Sequence, residues 1–226
     1  PEMAERVRHY DEEAPLMRAY GVEATIASTL DRRVPLPYGG YLVIDDTEAM
    51  TVIDVNSGRN VGRGGTRLED TITKTNLEAA TEVVRQLRLR DIGGIVIIDF
   101  IDMDDERNRK AVKAALDQAL QRDRTRTYVV DISPLGLVEM TRQNISDGPR
   151  EIMTEVCPTC AGVGVVPSDE TRAIEIEREL RDSLPQRAAD EVAVTLHPRI
   201  ADLLAADDGA RLAALEGETG VRIRLE

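Results

Sequence analysis

The sequence predicts a layered α/β domain followed by a smaller α+β unit. Two observations support this: short apolar runs alternate with helix-periodic segments over residues 39–149, and the composition turns acidic and rich in alanine and leucine after Ser168. A chain of 226 residues is long enough for one sizeable core and a smaller companion. We therefore expect a connector over 1–38, the main domain over 39–149, a linker over 150–167 and a small domain over 168–226.

Hydrophobic periodicity and turn residues predict the elements of the main domain. Leu77, Ala80, Val84 and Leu87 recur at helical spacing, and two glycines stop that pattern before the apolar run that ends at Asp99. The predicted elements are a helical stretch over 1–30, hairpin strands over 41–46 and 50–55, a glycine-rich loop over 59–71, a helix over 76–90, a strand over 95–99, a helix over 104–120 and a strand over 128–132.

The last part of the chain predicts a small α+β arrangement. Alternating or periodic apolar residues indicate a helix over 171–181, a strand over 191–196, a helix over 198–206 and a strand over 220–225. Between the two parts, Pro149 to Val166 is predicted to be a linker.

Composition describes a globular protein, with 42% hydrophobic and 31% charged residues. No apolar run approaches the roughly 20 residues needed to span a bilayer, and no basic-then-apolar leader opens the chain. With only two cysteines, we expect a cytoplasmic protein. The start at Pro1, without methionine, predicts an excised fragment. The net charge of −13 argues against a nucleic-acid partner, but residues 59–126 carry slightly more basic than acidic side chains.

Two apolar runs each end in an aspartate, Asp54 after Thr51–Ile53 and Asp99 after Ile95–Ile98. Asn56 lies two residues beyond Asp54 and so on the same face of an extended chain. Buried carboxylates need a cation or several hydrogen-bond donors, and oxygen ligands of this kind suit Mg²⁺. The alternative is that both aspartates only cap loops.

Asp102, Asp104 and Asp105 follow the second run and suggest a second metal, but helix capping is the favoured interpretation. His9 and His197 are far apart in the sequence, and we interpret them as surface or packing residues, which excludes paired-histidine catalysis.

Two basic stretches are candidates for contacts with phosphate groups. Arg124 and Arg126 belong to an alternating run that begins at Arg122, and Arg59 opens the glycine-rich loop, where flexible backbone permits close approach to phosphates. The alternative for the alternating run is an ordinary solvated surface.

Cys157 and Cys160 have the spacing of a zinc-ligand pair, but zinc normally takes four ligands and no histidine is nearby. Either the pair is redox-active or one metal is shared between two chains. A redox role would favour a helix directly after Cys157, which Gly162 and Gly164 oppose.

Three segments, taken in order, resemble the catalytic half of the bacterial ribonuclease E/G family. They are IDVNSGR at 53–59, TNLEAATEVVRQLRLRDIGGIVIIDFIDM at 75–103 and CPTCAGVG at 157–164. The resemblance implies the end of an RNase H-like subdomain over 1–38, a DNase I-like catalytic subdomain over 39–149, a zinc link over 150–167 and an oligomerisation domain over 168–226. The family's N-terminal OB-fold RNA-binding domain and 5′-end sensor are expected to be missing here.

The resemblance also implies site roles. It implies Mg²⁺ on Asp54 and Asp99 with Asn56 in support, and a position beside the pocket for an RNA 5′-monophosphate for Arg126. It further implies Zn²⁺ shared between two subunits through Cys157 and Cys160, in a homodimer that pairs again into a tetramer.

Two functions follow as hypotheses. The first is a Mg²⁺-dependent endoribonuclease core that cuts single-stranded RNA in mRNA decay and in RNA processing, including that of rRNA, leaving 5′-phosphate and 3′-hydroxyl ends. The second is a non-catalytic fragment that dimerises through zinc and acts as a scaffold.

Overall fold

The computed structural model describes residues 6–58, 65–186 and 189–226, without the side chains of residues 65–67, 207 and 208. The chain divides into two compact units, Pro1–Glu155 and Val156–Glu226. The elements of the first unit are α1 (Leu16–Ala19), α2 (Val22–Ser28), β1 (Arg33–Pro35), β2 (Tyr41–Asp46), β3 (Thr51–Asn56), α3 (Gly65–Leu89), β4 (Gly94–Asp99), α4 (Glu106–Leu120), β5 (Thr127–Val129), β6 (Leu137–Arg142) and α5 (Pro149–Met153).

The first unit is built on a six-stranded sheet in the order β1-β2-β3-β4-β6-β5. Strands β3 and β4 are parallel, because α3 carries the chain back before β4 begins, and the other neighbours are antiparallel. The predicted α+β layered fold is confirmed.

One face of this sheet forms the core with α3 and α4. Along β3, Thr51, Ile53 and Val55 are buried, whereas the residues between them are only half-buried. The inward-facing side chains join those of the two helices in a single cluster, which includes Ile98 of β4 and Leu116 of α4. We call the opposite face of the sheet the open face; it carries Asp54 and Asp99 and is exposed at Glu139, Thr141 and Tyr128.

Several elements differ from the sequence-based predictions. The helical stretch predicted over 1–30 is wrong over much of its length, since helix is confined to α1 and α2. Pro15 stands before α1, and Gly21, at φ +69°, separates the two. The loop predicted over 59–71 is wrong from Gly65 onward, where α3 begins. Ile72 packs against the core and so extends the apolar stripe of α3 toward its N-terminus.

Two strands of the sheet were not predicted. Strand β1 is short and pairs with β2, and β6 fills the position between β4 and β5. Gly136, at φ +78°, turns the chain directly before β6. The alternation of buried and exposed residues in β6 is typical of a half-buried strand.

The second unit contains α6 (Asp169–Ser183), a 3₁₀ turn (Leu184–Gln186), β7 (Glu191–Val194), α7 (Pro198–Leu204), α8 (Ala206–Thr219) and β8 (Arg222–Leu225). Strands β7 and β8 pair in parallel, and Leu184, Leu215, Val221 and Ile223 form a small core. Helix α8 was not predicted. Among the residues that the structure describes, no helix is both long and apolar enough to cross a membrane.

Candidate active site

Asp54 and Asp99 are direct register partners on the parallel strands β3 and β4. Asp99 is the last residue of β4, whereas β3 continues two residues past Asp54 to Asn56. Neighbouring strands lie about 4.8 Å apart, and opposite residues point to the same face, so the two carboxylates stand side by side on the open face. Asp54 is half-buried and Asp99 is exposed. The sheet therefore brings together two candidates that lie far apart in the sequence.

Asn56 supports the first of these carboxylates. Its Nδ2 donates a hydrogen bond to Oδ2 of Asp54 over 2.6 Å. The turn at Gly40 makes room for this end of β3, since a Cβ there would lie 2.6 Å from the carbonyl oxygen of Asn56. The amide thus orients the Asp54 carboxylate.

The electrostatics of the pair suit a cation. The surrounding protein partly desolvates the Asp99 carboxylate and so raises its pKa above the usual value, and the negative charges of Asp54 and Asp102 raise it further. A divalent cation between Asp54 and Asp99 would offset this repulsion.

The candidate metal-binding side chains of this site are few. Over residues 6–58, 65–186 and 189–226, no group of three or more histidine, cysteine, aspartate and glutamate side chains could hold a metal ion. Mg²⁺ keeps several waters and is commonly bound by only one or two carboxylates together with substrate phosphates. Asp54 and Asp99 therefore fit Mg²⁺ but do not enclose it.

Asn76 fixes the segment that follows Asp99, and the sequence analysis did not identify it. This fully buried residue of α3 donates from Nδ2 to the carbonyl oxygen of Ile101 over 2.7 Å, and its Oδ1 accepts from the Ile101 N–H over 3.1 Å. One feature of the sequence could have identified Asn76: its amide side chain lies beside the inward-facing apolar stripe of a predicted helix, where a buried polar group needs a hydrogen-bond partner.

Glu69 holds the same segment farther along. It lies about two turns before Asn76 on α3, hence on nearly the same side of the helix. Its carboxylate accepts from the N–H of Asp104 and of Asp105 at 3.5 and 3.3 Å, and from Nδ2 of Asn108 at 2.9 Å. Helix α3 thus fixes both ends of the segment that carries Asp102.

The aspartates after Asp99 have separate roles. Asp105 is the N-cap of α4 and accepts from the Arg107 N–H over 2.8 Å, as the capping prediction required. Asp102 is exposed and contributes negative charge near Asp99. The two histidines are apart from this site: His9 is exposed, and Nδ1 of His197 accepts the Arg199 N–H at the start of α7.

Arg124 and Arg126 are exposed and lie away from the carboxylate pair. The carbonyl oxygen of Arg126 accepts from the N–H of Gln143, beyond the end of β6. Asp99 is opposite Leu137 at the start of that strand, so the two positions are about 20 Å apart along the sheet. The remaining candidate, Arg59, lies outside the described residues.

Cys157 and Cys160 lie in a tight turn. The N–H groups of Cys160 and Thr159, followed by the Cys160 side chain, donate to the Cys157 sulfur and lower the pKa of that thiol. The Ala161 N–H bonds to the Cys157 carbonyl over 2.8 Å, and Ala161 and Gly162 take positive φ values of 49° and 86°. A lowered thiol pKa favours the thiolate, the form that binds metal.

Comparisons with known proteins match both units. A model of the "Ribonuclease E/G family" matches residues 1–145, and a model of the "RNase E/G, Thioredoxin-like domain" matches residues 156–226. The Ribonuclease G of Salmonella typhimurium is 42% identical over 226 residues, which is all of this chain and 46% of that protein.

Two further relatives show the same similarity. The Ribonuclease E of Escherichia coli (strain K12) is 41% identical over 223 residues, which is 98% of this chain and 21% of that protein. The Ribonuclease G of Haemophilus influenzae is 39% identical over an alignment of 227 residues, which covers all of this chain and 46% of that protein. The chain spans 46% of the length of the Ribonuclease G relatives it matches.

Proposed function

The chain belongs to the ribonuclease E/G family, and we propose on this premise that it carries the Mg²⁺-dependent catalytic centre of an endoribonuclease. The observation that carries the proposal is the register pairing of Asp54 with Asp99 on adjacent parallel strands. Side chains placed on paired strands are held rigidly by the sheet, as a reactive site requires. The substrate would be single-stranded RNA.

Each residue of the site has a defined role in this proposal. Asp54 and Asp99 supply the negative oxygens that would hold Mg²⁺, and Asn56 keeps the Asp54 carboxylate in one orientation through its 2.6 Å hydrogen bond. When bound, Mg²⁺ would offset charge on the phosphodiester and promote ionisation of the attacking water. Asn76 and Glu69 would act as positioning residues, since they fix the segment after Asp99 without reaching the open face.

The finer features follow from the resemblance to the family. We propose that cutting leaves 5′-phosphate and 3′-hydroxyl ends, and that the protein acts in the cytoplasm in mRNA decay and RNA processing. Arg126, Arg124 and Arg59 would contact RNA phosphates. The separation of Arg126 from Asp99 supports a contact with a part of the RNA other than the phosphate that is cut.

We further propose that Cys157 and Cys160 bind Zn²⁺ shared between two subunits. Their turn points two backbone N–H groups at one sulfur, which favours a thiolate ligand, but two sulfurs leave a structural zinc site half complete. A two-fold pair of chains would supply four sulfurs. Residues 150–167 would then form the zinc link, and 168–226 a small domain that joins two dimers into a tetramer.

A second candidate function rests on the same cysteine turn. If zinc-linked assembly were the only role of this part of the protein, it would be a scaffold without catalysis. Metal content and cutting separate the two candidates, since only the endoribonuclease requires Mg²⁺ as well as zinc.

The test is an RNA cleavage assay on the full-length protein. An unstructured RNA is incubated with Mg²⁺, with EDTA, and with EDTA followed by excess Mg²⁺, and the product ends are mapped. Cutting that EDTA abolishes and Mg²⁺ restores, with 5′-phosphate products, supports the proposal. Cutting that persists in EDTA contradicts it, and zinc binding without any cutting favours the scaffold.

A further inference from the structure

Tyr128 has an unusual environment among the tyrosines of this chain. It lies on the edge strand β5, and 69% of its surface is exposed. The chain has five tyrosines, and in the part of the chain that the structure describes, Tyr128 is the one whose ring contacts neither another ring nor a cation. The contacts of the others are Tyr10 with Tyr20 at 6.3 Å between ring centroids, Arg33 with Tyr41 at 3.6 Å, and Lys74 with Tyr38 at 3.0 Å.

The residues before Tyr128 present uncompensated positive charge. Arg122, Arg124 and Arg126 are exposed, and none of them makes a salt bridge or side-chain hydrogen bond with any described residue. Asp123, the acidic residue within this run, is directed inward. Its side chain is 4% exposed, and its Oδ2 accepts from Nε of Arg142 over 2.9 Å. The surface on the side of the Tyr128 ring from which these arginines approach is therefore basic.

Register places the ring on the same face as the carboxylate pair. Tyr128 is opposite Thr141 on β6, and Thr141 is opposite Ile95 on β4, so all three point to the open face together with Asp99. The Tyr128 position is two strands across and four residues along from Asp99, or about 16 Å. Glu139, also exposed on this face, is opposite Ile97 and therefore lies between the positions of Asp99 and Tyr128.

We propose that Tyr128 is a stacking platform for an unpaired RNA base, with Arg124 and Arg126 binding the adjacent phosphates. The inference rests on the proposed function and extends it to a second substrate contact, a few nucleotides from the bond that is cut. Sites for single-stranded nucleic acid combine a basic track with exposed aromatic rings, because every base has a flat face and every nucleotide a charge. An RNA strand on the open face would meet the carboxylates at one end and Tyr128 at the other.

The test measures binding of the 226-residue chain to a short, unstructured oligoadenylate by fluorescence anisotropy, in EDTA so that Mg²⁺-dependent cutting is suppressed. Tyr128→Ala should weaken binding about 5- to 150-fold, the range seen when a stacking residue is truncated. Tyr128→Phe should bind like the original chain, and Tyr128→Leu should resemble the alanine variant, because stacking needs a flat ring. The matched control is Tyr20→Ala, which removes an equally exposed tyrosine outside the sheet and should leave affinity unchanged.

Binding to duplex RNA should respond little to any of these changes, since paired bases are not available for stacking. Equal affinities for the Ala and Phe variants would overturn the inference, and so would a Tyr128→Ala effect confined to oligomeric state, which would mean that protein covers this face.

These results are distinguishable from failure of the proposed function. If the full-length protein cuts RNA but Tyr128→Ala leaves binding unchanged, only the stacking inference fails. If Tyr128-dependent binding is found without Mg²⁺-dependent cutting, the stacking inference stands and the catalytic proposal fails.

Discussion

The side chain of Asn76 closes a pair of hydrogen bonds with the backbone of Ile101, accepting its N–H at 3.1 Å and donating to its carbonyl at 2.7 Å. Helix α3 is thereby joined to the segment that leaves β4 directly after Asp99. The amide is fully buried, so both backbone groups depend on it rather than on water. This contact therefore links the helical layer to the candidate active site.

Replacing Asn76 with alanine should lower the free energy of unfolding by about 1–3 kcal/mol, because buried backbone groups of Ile101 lose their partner. Urea denaturation of the chain measures this. Thr81→Ala, on an exposed position of the same helix, is the control and should change stability by less than about 0.5 kcal/mol. In the full-length protein, Asn76→Ala should also raise the Mg²⁺ concentration needed for half-maximal cutting. An unchanged Mg²⁺ requirement in a destabilised variant would make Asn76 purely structural.

Asp54→Asn and Asp99→Asn should each reduce Mg²⁺-dependent cutting by at least about 100-fold, because an amide lacks the charge that holds the ion and stabilises the reaction. Neither change should destabilise the fold, since each removes a repulsive charge from the pair. Asp202→Asn, the same chemical change on the exposed surface of α7, is the control for both cutting rate and thermal stability. Normal cutting by either site variant would remove that residue from the proposed centre.

Replacing Arg142 should destabilise the first unit more than replacing any other arginine whose side chain the structure describes. Its side chain is 3% exposed and donates to Asp123, to Asp91 and to the carbonyl oxygen of Ile92. Arg142→Met leaves the nearly buried Asp123 carboxylate without its cation, which typically costs about 3–5 kcal/mol. Arg122→Met, on the exposed surface, removes the same charge without this cost. Similar unfolding midpoints for the two variants in urea would contradict the prediction.

The same cluster predicts a loss of stability in acid. Hydrogen bonding from Ser146 and then from Arg142 lowers the pKa of Asp91 despite its partial burial. Burial alone would raise the pKa of Asp123, but its bonds to Arg142 and to the Thr125 N–H outweigh that effect and lower it. A carboxyl with a depressed pKa stabilises the fold above its unfolded pKa of about 4, and this stabilisation is lost as pH falls through the folded value.

The urea concentration at the midpoint of unfolding should therefore stay constant from neutral pH to about pH 5 and should decrease at pH values below about 4. The Arg142→Met variant should lose less stability than the original chain between neutral and acid pH, because Asp91 and Asp123 no longer have Arg142 as a partner. An equally steep acid fall in that variant would show that other carboxyls are responsible.

Cys157→Ser and Cys160→Ser should each lower the bound zinc and the oligomer size together, because the proposed site takes its ligands from two chains. Native mass spectrometry of the purified chain reports both quantities in one experiment. Val163→Ser, at an exposed position in the same turn, should change neither. A metal-free monomer of the unsubstituted chain, or one zinc held by a single chain, would refute the shared site.

The sequence carried much of the information about local structure in this protein. The apolar runs that end at Asp54 and Asp99 predicted both strands, and the spacing of Leu77, Ala80, Val84 and Leu87 predicted most of α3. These predictions succeeded because burial on one side of an element imposes a period that can be read from one short segment. The helix predicted over the first thirty residues was largely wrong, because Pro15 precedes α1 and Gly21 separates α1 from α2.

By itself, then, the sequence determined the residue types available for chemistry: two strand-end carboxylates, a thiolate pair and a basic run. The tertiary structure alone decided their arrangement. Strand register placed Asp54 beside Asp99, set Arg126 far along the sheet from them, and turned Tyr128 to the same face. Packing of α3 against the sheet also placed the side chain of Asn76 beside the backbone of Ile101, its hydrogen-bond partner. Register and helix-to-loop contacts join residues distant in the chain, and such pairings follow from packing the whole core rather than from any local period.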